Sequence, residues 1–249
     1  GKSRVLDSLH DDAWVREVGG FGPNDPLFGW QDQTHVWFLS ERDRWMHLYS
    51  VDATADRPAP RQLTEGKWEI ESVSLSPDKR KFYITSTEVH PGERHIYAMA
   101  VEGGARTKLT SMTGGSAGEV SPDDSTFGIV YSSSTRPHEV YLMPNRPGAA
   151  AKQVTTTPTE EWRSFKWADP QLITYKTRDG VDVYARLFTP EMMGARRDPA
   201  APADVTWSNT ASRVRRVRAA RRPPSSGSGS VRGTGTCTVT TRAPIRPAW

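Results

Sequence analysis

The chain has 249 residues, ample for a buried core, yet only 35% of them are hydrophobic and the deficit is local. Nine arginines fall in residues 205–249, which hold no lysine and no acid; they outweigh the net charge of +4 and leave residues 1–204 at −5. The overall basicity is therefore no nucleic-acid signal for the body of the chain, and the lone Cys237 excludes a disulfide framework or a multi-cysteine metal site. No apolar run reaches the roughly 18 residues of a membrane-spanning helix.

The chain opens "GKSRVL", with neither an initiator Met nor a signal-peptide profile, as if cut from something longer. Residues 1–28 read as the last strands of a preceding module, with Asp7, Asp11 and Asp12 as solvated turn residues. From Val36 a pattern recurs. "VWFLSERDRWMHLYSVD…RQLT" is followed by "KFYITSTEVHPGERHIYAMAVEGGARTKLT" and by "TFGIVYSSSTRPHEVYLMPN…KQVT". Phe38, Phe82 and Phe127 are spaced by 44 and 45 residues, Tyr49, Tyr97 and Tyr141 by 48 and 44, and Thr64, Thr110 and Thr155 by 46 and 45. Ser76-Pro77-Asp78 and Ser121-Pro122-Asp123 mark one turn twice. Short alternating aromatic and β-branched runs in a unit of roughly 40–50 residues are the signature of β-propeller blades. The spacing predicts an all-β fold: a partial propeller of about three four-stranded blades over residues 1–167, its missing blades lying upstream.

Within each unit, "SPD" supplies the turn between the first two strands and "VEGGA" the turn between the last two. "SERDRWMH" then joins the second strand to the third, so Glu41, Arg42, Asp43 and Arg44 form a charge-balanced turn at the solvated end. His47, His95 and His138 fall at or near the start of the third strand, which predicts a structural hydrogen bond. Trp30, Trp37, Trp45 and Trp68 are expected between blades. Gly114-Gly115-Ser116-Ala117-Gly118 matches the G-x-S-x-G nucleophile pattern, but no helix follows it, and a flexible blade-to-blade turn is expected. Glu88, His90, Glu93 and His95 suggest metal ligands, yet no nearby motif completes a zinc set, and no metal site is predicted.

These residues resemble a known family. "FLSERDRWMHLY", "RQLTEGKWEI", "GERHIYAM" and "SPDDSTFGIVYSSSTRP" look like the second half of the propeller in bacterial dipeptidyl peptidase IV-like enzymes of the prolyl oligopeptidase family. The resemblance covers roughly residues 10–204. "DPQLITYKTRDGVDVYARLFTPE", two alternating runs flanking Asp179-Gly180, is similar to the hairpin that opens the family's α/β-hydrolase domain, assigned to residues 168–204. The resemblance implies a serine peptidase that removes dipeptides from peptide N-termini after proline or alanine, without a cofactor. The amine would be held by paired glutamates on the propeller, and a Ser-Asp-His triad would cleave the bond. "GGFGPND" resembles the segment whose aromatic borders the substrate pocket, which nominates Phe21 as substrate-binding. No histidine follows His138, so no catalytic residue is assigned and the chain is expected to be inactive. A peptide is the implied partner. A homodimer and a periplasmic or secreted location are compatible with the full-length parent. A propeller acting purely as a binding module, and an acylaminoacyl- or oligopeptidase relative, are the alternatives.

Residues 205–249 do not continue the hydrolase pattern. They contain no Leu, Phe, Tyr or Met, and composition predicts disorder. A reading-frame shift near Asp204 accounts for the Arg, Pro, Ser, Gly and Ala content, because GC-rich coding DNA read out of frame yields it. A genuine basic arm is the competing reading, but "RVRRVRAARR" has no interleaved aromatics for base stacking.

Overall fold

The structure, a computed structural model, describes residues 3–10, 12, 27–194, 205–209 and 213–217. The expected strands form three antiparallel sheets of four, each ordered as in the sequence. The first contains β1 (Phe28–Trp30), β2 (His35–Ser40), β3 (His47–Asp52) and β4 (Arg61–Gln62). The second contains β5 (Ile70–Leu75), β6 (Lys81–Ser86), β7 (His95–Ala100) and β8 (Arg106–Lys108). The third contains β9 (Gly115–Val120), β10 (Thr126–Ser133), β11 (Arg136–Pro144) and β12 (Lys152–Gln153). These are the three blades of a partial propeller. Residues 3–10 carry no strand and Phe28 opens the first blade itself, while residues 11 and 13–26, on which the expectation of a preceding module also rests, lie outside the described residues.

Strand pairing fixes which positions are equivalent. Val36 pairs with Val51, Phe82 with Met99 and Phe127 with Met143; Phe38, Ile84 and Ile129 pair with Tyr49, Tyr97 and Tyr141. Phe82 and Phe127 are thus true counterparts, whereas Phe38 sits two residues further along β2 than the spacing of 44 implies. The β6–β7 loop is two residues longer than the β2–β3 loop, which is why Tyr49 and Tyr97 lie 48 apart where Val36 and Phe82 lie 46 apart.

Alternation then sends each face to a different neighbour. Trp37, Leu39 and Leu48 of the first blade meet Phe82, Ile84 and Met99 of the second in one buried cluster. Tyr83 and Ile96, on the opposite face of the second blade, meet Phe127, Ile129, Tyr141 and Met143 of the third. The rings cross edge to face, Trp37 on Phe82 at 6.1 Å and Tyr83 on Phe127 at 4.9 Å. Full burial of side chains such as Phe82 and Ile84 is worth roughly 1.5–3 kcal/mol each. Trp37 and Trp68 fill the inter-blade gap as expected, but Trp45 is half-buried and Trp30 is exposed.

The turns follow their sequence chemistry. Ser76 Oγ accepts from the Arg80 and Lys81 amides while Lys79 takes a left-handed φ of 57°; Asp124 repeats this in the third blade with φ 59°. Asp32 plays the part in the first blade, accepting from the amides of Thr34 at 2.7 Å and His35 at 2.8 Å.

After the third blade the chain makes a short helix α1 (Glu160–Ser164), capped by Thr159, whose hydroxyl accepts from the Trp162 amide. It then forms the hairpin β13 (Gln171–Lys176) and β14 (Asp182–Leu187), closed at Asp179-Gly180, where Gly180 has φ 82°. β15 (Val205–Asn209) pairs with β14, and β16 (Arg213–Val217) pairs with β15. Composition predicts no order here, whereas these two segments, each with two β-branched residues in five, are extended and paired on from β14. The rest of the tail lies outside the described residues.

Candidate functional site

In an up-and-down blade, the loop between the second and third strands and the crossing into the next blade lie at one end. The hairpin abuts that end. The His90 ring packs edge-on against Tyr184 at 5.0 Å, and Ala185 is buried beside Pro91.

The opening charge cluster is less solvated than its sequence suggests. Arg42 is only about a quarter exposed: it pairs with Asp7 and lies 4.7 Å from the centre of the Tyr49 ring. Asp7 is therefore an ion-pair partner, not a free turn residue; Asp12 does stand in solvent, and Asp11 lies outside the described residues. Asp43 accepts from the Gln62 amide group at 2.6 Å and from the Trp45 backbone at 3.2 Å. Burial, with the Asp43 charge second, pushes the Tyr49 hydroxyl up to about 12.

The repeated histidines have the expected structural job, with one correction. The Thr64 and Thr110 hydroxyls accept from the amides of Leu48 and Ile96, both at 3.0 Å, and meet Nδ1 of His47 and His95, both at 3.1 Å. Nε2 of His47 contacts the Gly66 carbonyl at 3.0 Å, and that of His95 the Glu93 carboxylate at 2.9 Å. Since a carbonyl and a carboxylate only accept, Nε2 carries the proton and Nδ1 accepts from threonine. In the third blade the role falls to Glu139, buried and bonded to Thr155 and Thr157, while His138 is exposed.

The metal-like quartet is dispersed among protein partners. Glu88 holds Arg106 through two bonds of 2.9 and 3.0 Å, Arg106 covers Trp68, and His90 accepts from the Gly92 amide. No metal-capable cluster of His, Cys, Asp and Glu occurs among the described residues. The G-x-S-x-G match is a strand, not the turn expected: Ser116 lies fully buried within β9. Its glycines answer to sterics, since a Cβ at Gly118 would come within 2.4 Å of the Gly128 carbonyl.

A cleft of about 720 Å³ lies between the hairpin and the ends of the second and third blades. Met112, Tyr131, Pro170 and Leu172 supply its apolar surface; Glu93, Ser132, Ser133, Ser134, Thr135, Arg136, Asp169 and Arg186 supply its polar one. Tyr131 is fixed there by donating to the Thr113 carbonyl at 2.6 Å. Of these residues sequence reasoning singles out only Glu93, and as a metal ligand, although "SSSTR" occupies the same blade position as "ERDRW" and that equivalence was the available signal. Phe21, the nominated substrate contact, lies outside the described residues.

The family model described as the dipeptidyl peptidase IV (DPP IV) N-terminal region matches residues 1–138. A probable dipeptidyl peptidase 4 of Emericella nidulans is 33% identical over 93 residues, spanning 36% of this chain and 12% of that protein. A probable dipeptidyl-aminopeptidase B of Aspergillus oryzae is 30% identical over 104 residues, 40% of this chain and 11% of that one. A crystal structure of Porphyromonas gingivalis dipeptidyl peptidase 4 superposes with a TM-score of 0.53 at 20% identity, covering 66% of this chain and 24% of that one. The chain thus spans about an eighth of the length of the curated relatives it matches and shares the fold of the solved one. With a match across residues 1–138 and blades in the expected order, the chain belongs to the dipeptidyl peptidase IV N-terminal region family.

Proposed function

We propose that this chain supplies the propeller side of a serine exopeptidase that releases dipeptides from peptide N-termini, after proline or alanine. Its part is to gate and position the peptide, while the chemistry is done by a Ser-Asp-His triad not contained in this sequence. The observation that carries this reading is the seating of the hydrolase-like hairpin against the blade ends, which leaves a cleft of about 720 Å³ between them. Family membership and the dipeptidyl peptidase names of the relatives support it.

The six histidines all lie at or before His138. Among the described residues, His47 and His95 are committed to blade hydrogen bonds, His35 to Asp32 and His90 to the hairpin, and no serine hydroxyl is hydrogen-bonded to a histidine. The purified chain should therefore leave Gly-Pro-p-nitroanilide uncleaved. A longer protein joining residues 1–194 in frame to a complete hydrolase domain should cleave it, and blocking the substrate's amine should abolish cleavage. Equal cleavage of the blocked substrate would replace dipeptidyl release with an acylaminoacyl- or oligopeptidase activity. The same reading assigns the segment after Asp204 to a shifted frame. One of the other two frames should then encode an oxyanion-loop motif and a G-x-S-x-G elbow, and their absence from both would remove that assignment.

A further inference from the structure

The charges in the cleft are unbalanced in a way the proposed function does not use. Arg136, at the start of β11, and Arg186, on β14, reach the cleft from the third blade and from the hairpin respectively. Three other arginines are neutralised: Arg42 by Asp7, Arg94 by Glu71 and Arg106 by Glu88. Among the described residues, the Arg136 and Arg186 guanidiniums have no hydrogen-bond or ion-pair partner. The hydroxyls of Ser132, Ser133, Ser134 and Thr135 on the same wall are equally uncommitted. Of the two cleft acids, Glu93 is occupied by His95 at 2.9 Å, so Asp169 alone faces two free cations. Guanidinium groups only donate, and they match carboxylate oxygens in a planar fork.

We infer that Arg136 and Arg186 form a two-sided clamp for a carboxylate carried by a peptide in this cleft, assisted by the Ser132–Thr135 hydroxyls. The inference deepens the peptide-positioning reading and rests on it: it adds that peptides with an acid beyond the N-terminal dipeptide are preferred. The carboxylate is either a Glu or Asp side chain or the peptide's own C-terminus.

Three hexapeptides distinguish these sources when titrated into the full 249-residue chain by calorimetry. They are Ala-Pro-Ala-Glu-Ala-Ala-amide, its Gln counterpart as the amide, and the Gln counterpart with a free C-terminal carboxylate. At least one carboxylate-bearing peptide should bind roughly tenfold more tightly than the neutral amide, and the advantage should shrink as salt is raised. Arg136→Ala and Arg186→Ala should each bring that peptide down to the neutral level while leaving neutral binding unchanged. Arg136→Glu should reverse the preference toward a Lys-containing peptide, a gain that a misfolded variant could not show. Equal affinity for all three peptides, or a preference that survives both alanine variants, would overturn the clamp while leaving peptide positioning intact. If no peptide binds, the positioning reading falls together with the clamp.

Discussion

The threonine that ends each unit does the same thing three times. Thr64, Thr110 and Thr155 accept from the backbone amides of Leu48, Ile96 and Val140, and each hydroxyl also meets the side chain just before that amide on the third strand, His47, His95 or Glu139. Thr110 is buried, so an isosteric Thr110→Val change leaves the Ile96 amide and His95 Nδ1 unpaired. The expected loss is about 1–3 kcal/mol in urea unfolding, against nearly nothing for Lys176→Ala at the exposed Lys176–Asp182 pair. Glu139 adds a pH dependence. The Thr155 hydroxyl, with Thr157 in support, holds its carboxyl below the ordinary range. A depressed folded-state value means the contribution is complete above the unfolded carboxylate value near pH ~4.3 and fades as pH falls through the lower folded value. The melting-temperature gap between wild type and Glu139→Gln should therefore be widest at neutral pH and close in acid. A gap that persisted unchanged to pH 3 would assign the effect to shape instead of charge.

At the level of strands, the turns and the alternation were legible, and what failed failed for local reasons. "SPD", "VEGGA" and Asp179-Gly180 announce their turns because proline, glycine and hydrogen-bonding acids each restrict the backbone in a known way. The Phe38 spacing misled because Val36, not an aromatic, holds the position of Phe82 in the first blade, and only strand pairing reveals it. Helix α1 carries its signal in Thr159 followed by two acids, but five residues are too few to show a helical period. The cleft was hidden for a different reason: its wall is shared by β10, β11 and the hairpin, and no spacing within one repeat reveals such a junction. The glycine run at β9 also changes meaning once the sheet is seen, from flexible blade-to-blade turn to close strand approach. Gly118→Ala should therefore destabilise the third blade by about 1–3 kcal/mol through overpacking on the Gly128 backbone, read as a lowered denaturation midpoint. Ser116→Ala, which removes a hydroxyl without a partner, should cost far less.

Across the whole molecule, the same face alternation that builds two internal interfaces leaves a third one open. On the first blade, Trp37, Leu39 and Leu48 are covered by the second; on the second, Tyr83 and Ile96 are covered by the third. The corresponding positions of the third blade are Gly128, Val130, Val140 and Leu142, and the last three are 44, 38 and 47% exposed. Val130 and Val140 pair directly across β10 and β11, so the apolar surface is continuous. Its mate, by the logic of the repeat, is another blade face carrying an aromatic and an isoleucine. Lacking that mate, a contiguous patch of this kind drives association, because covering it returns its apolar area to a water-free contact. The 249-residue chain should sediment as concentration-dependent oligomers, and Val130→Lys with Leu142→Glu should shift it toward monomer without lowering its strand content by circular dichroism. A wild-type chain that sediments as a single monomer and melts sharply and reversibly would show that the third blade's outer face needs no cover, and the stacking logic would fail with it.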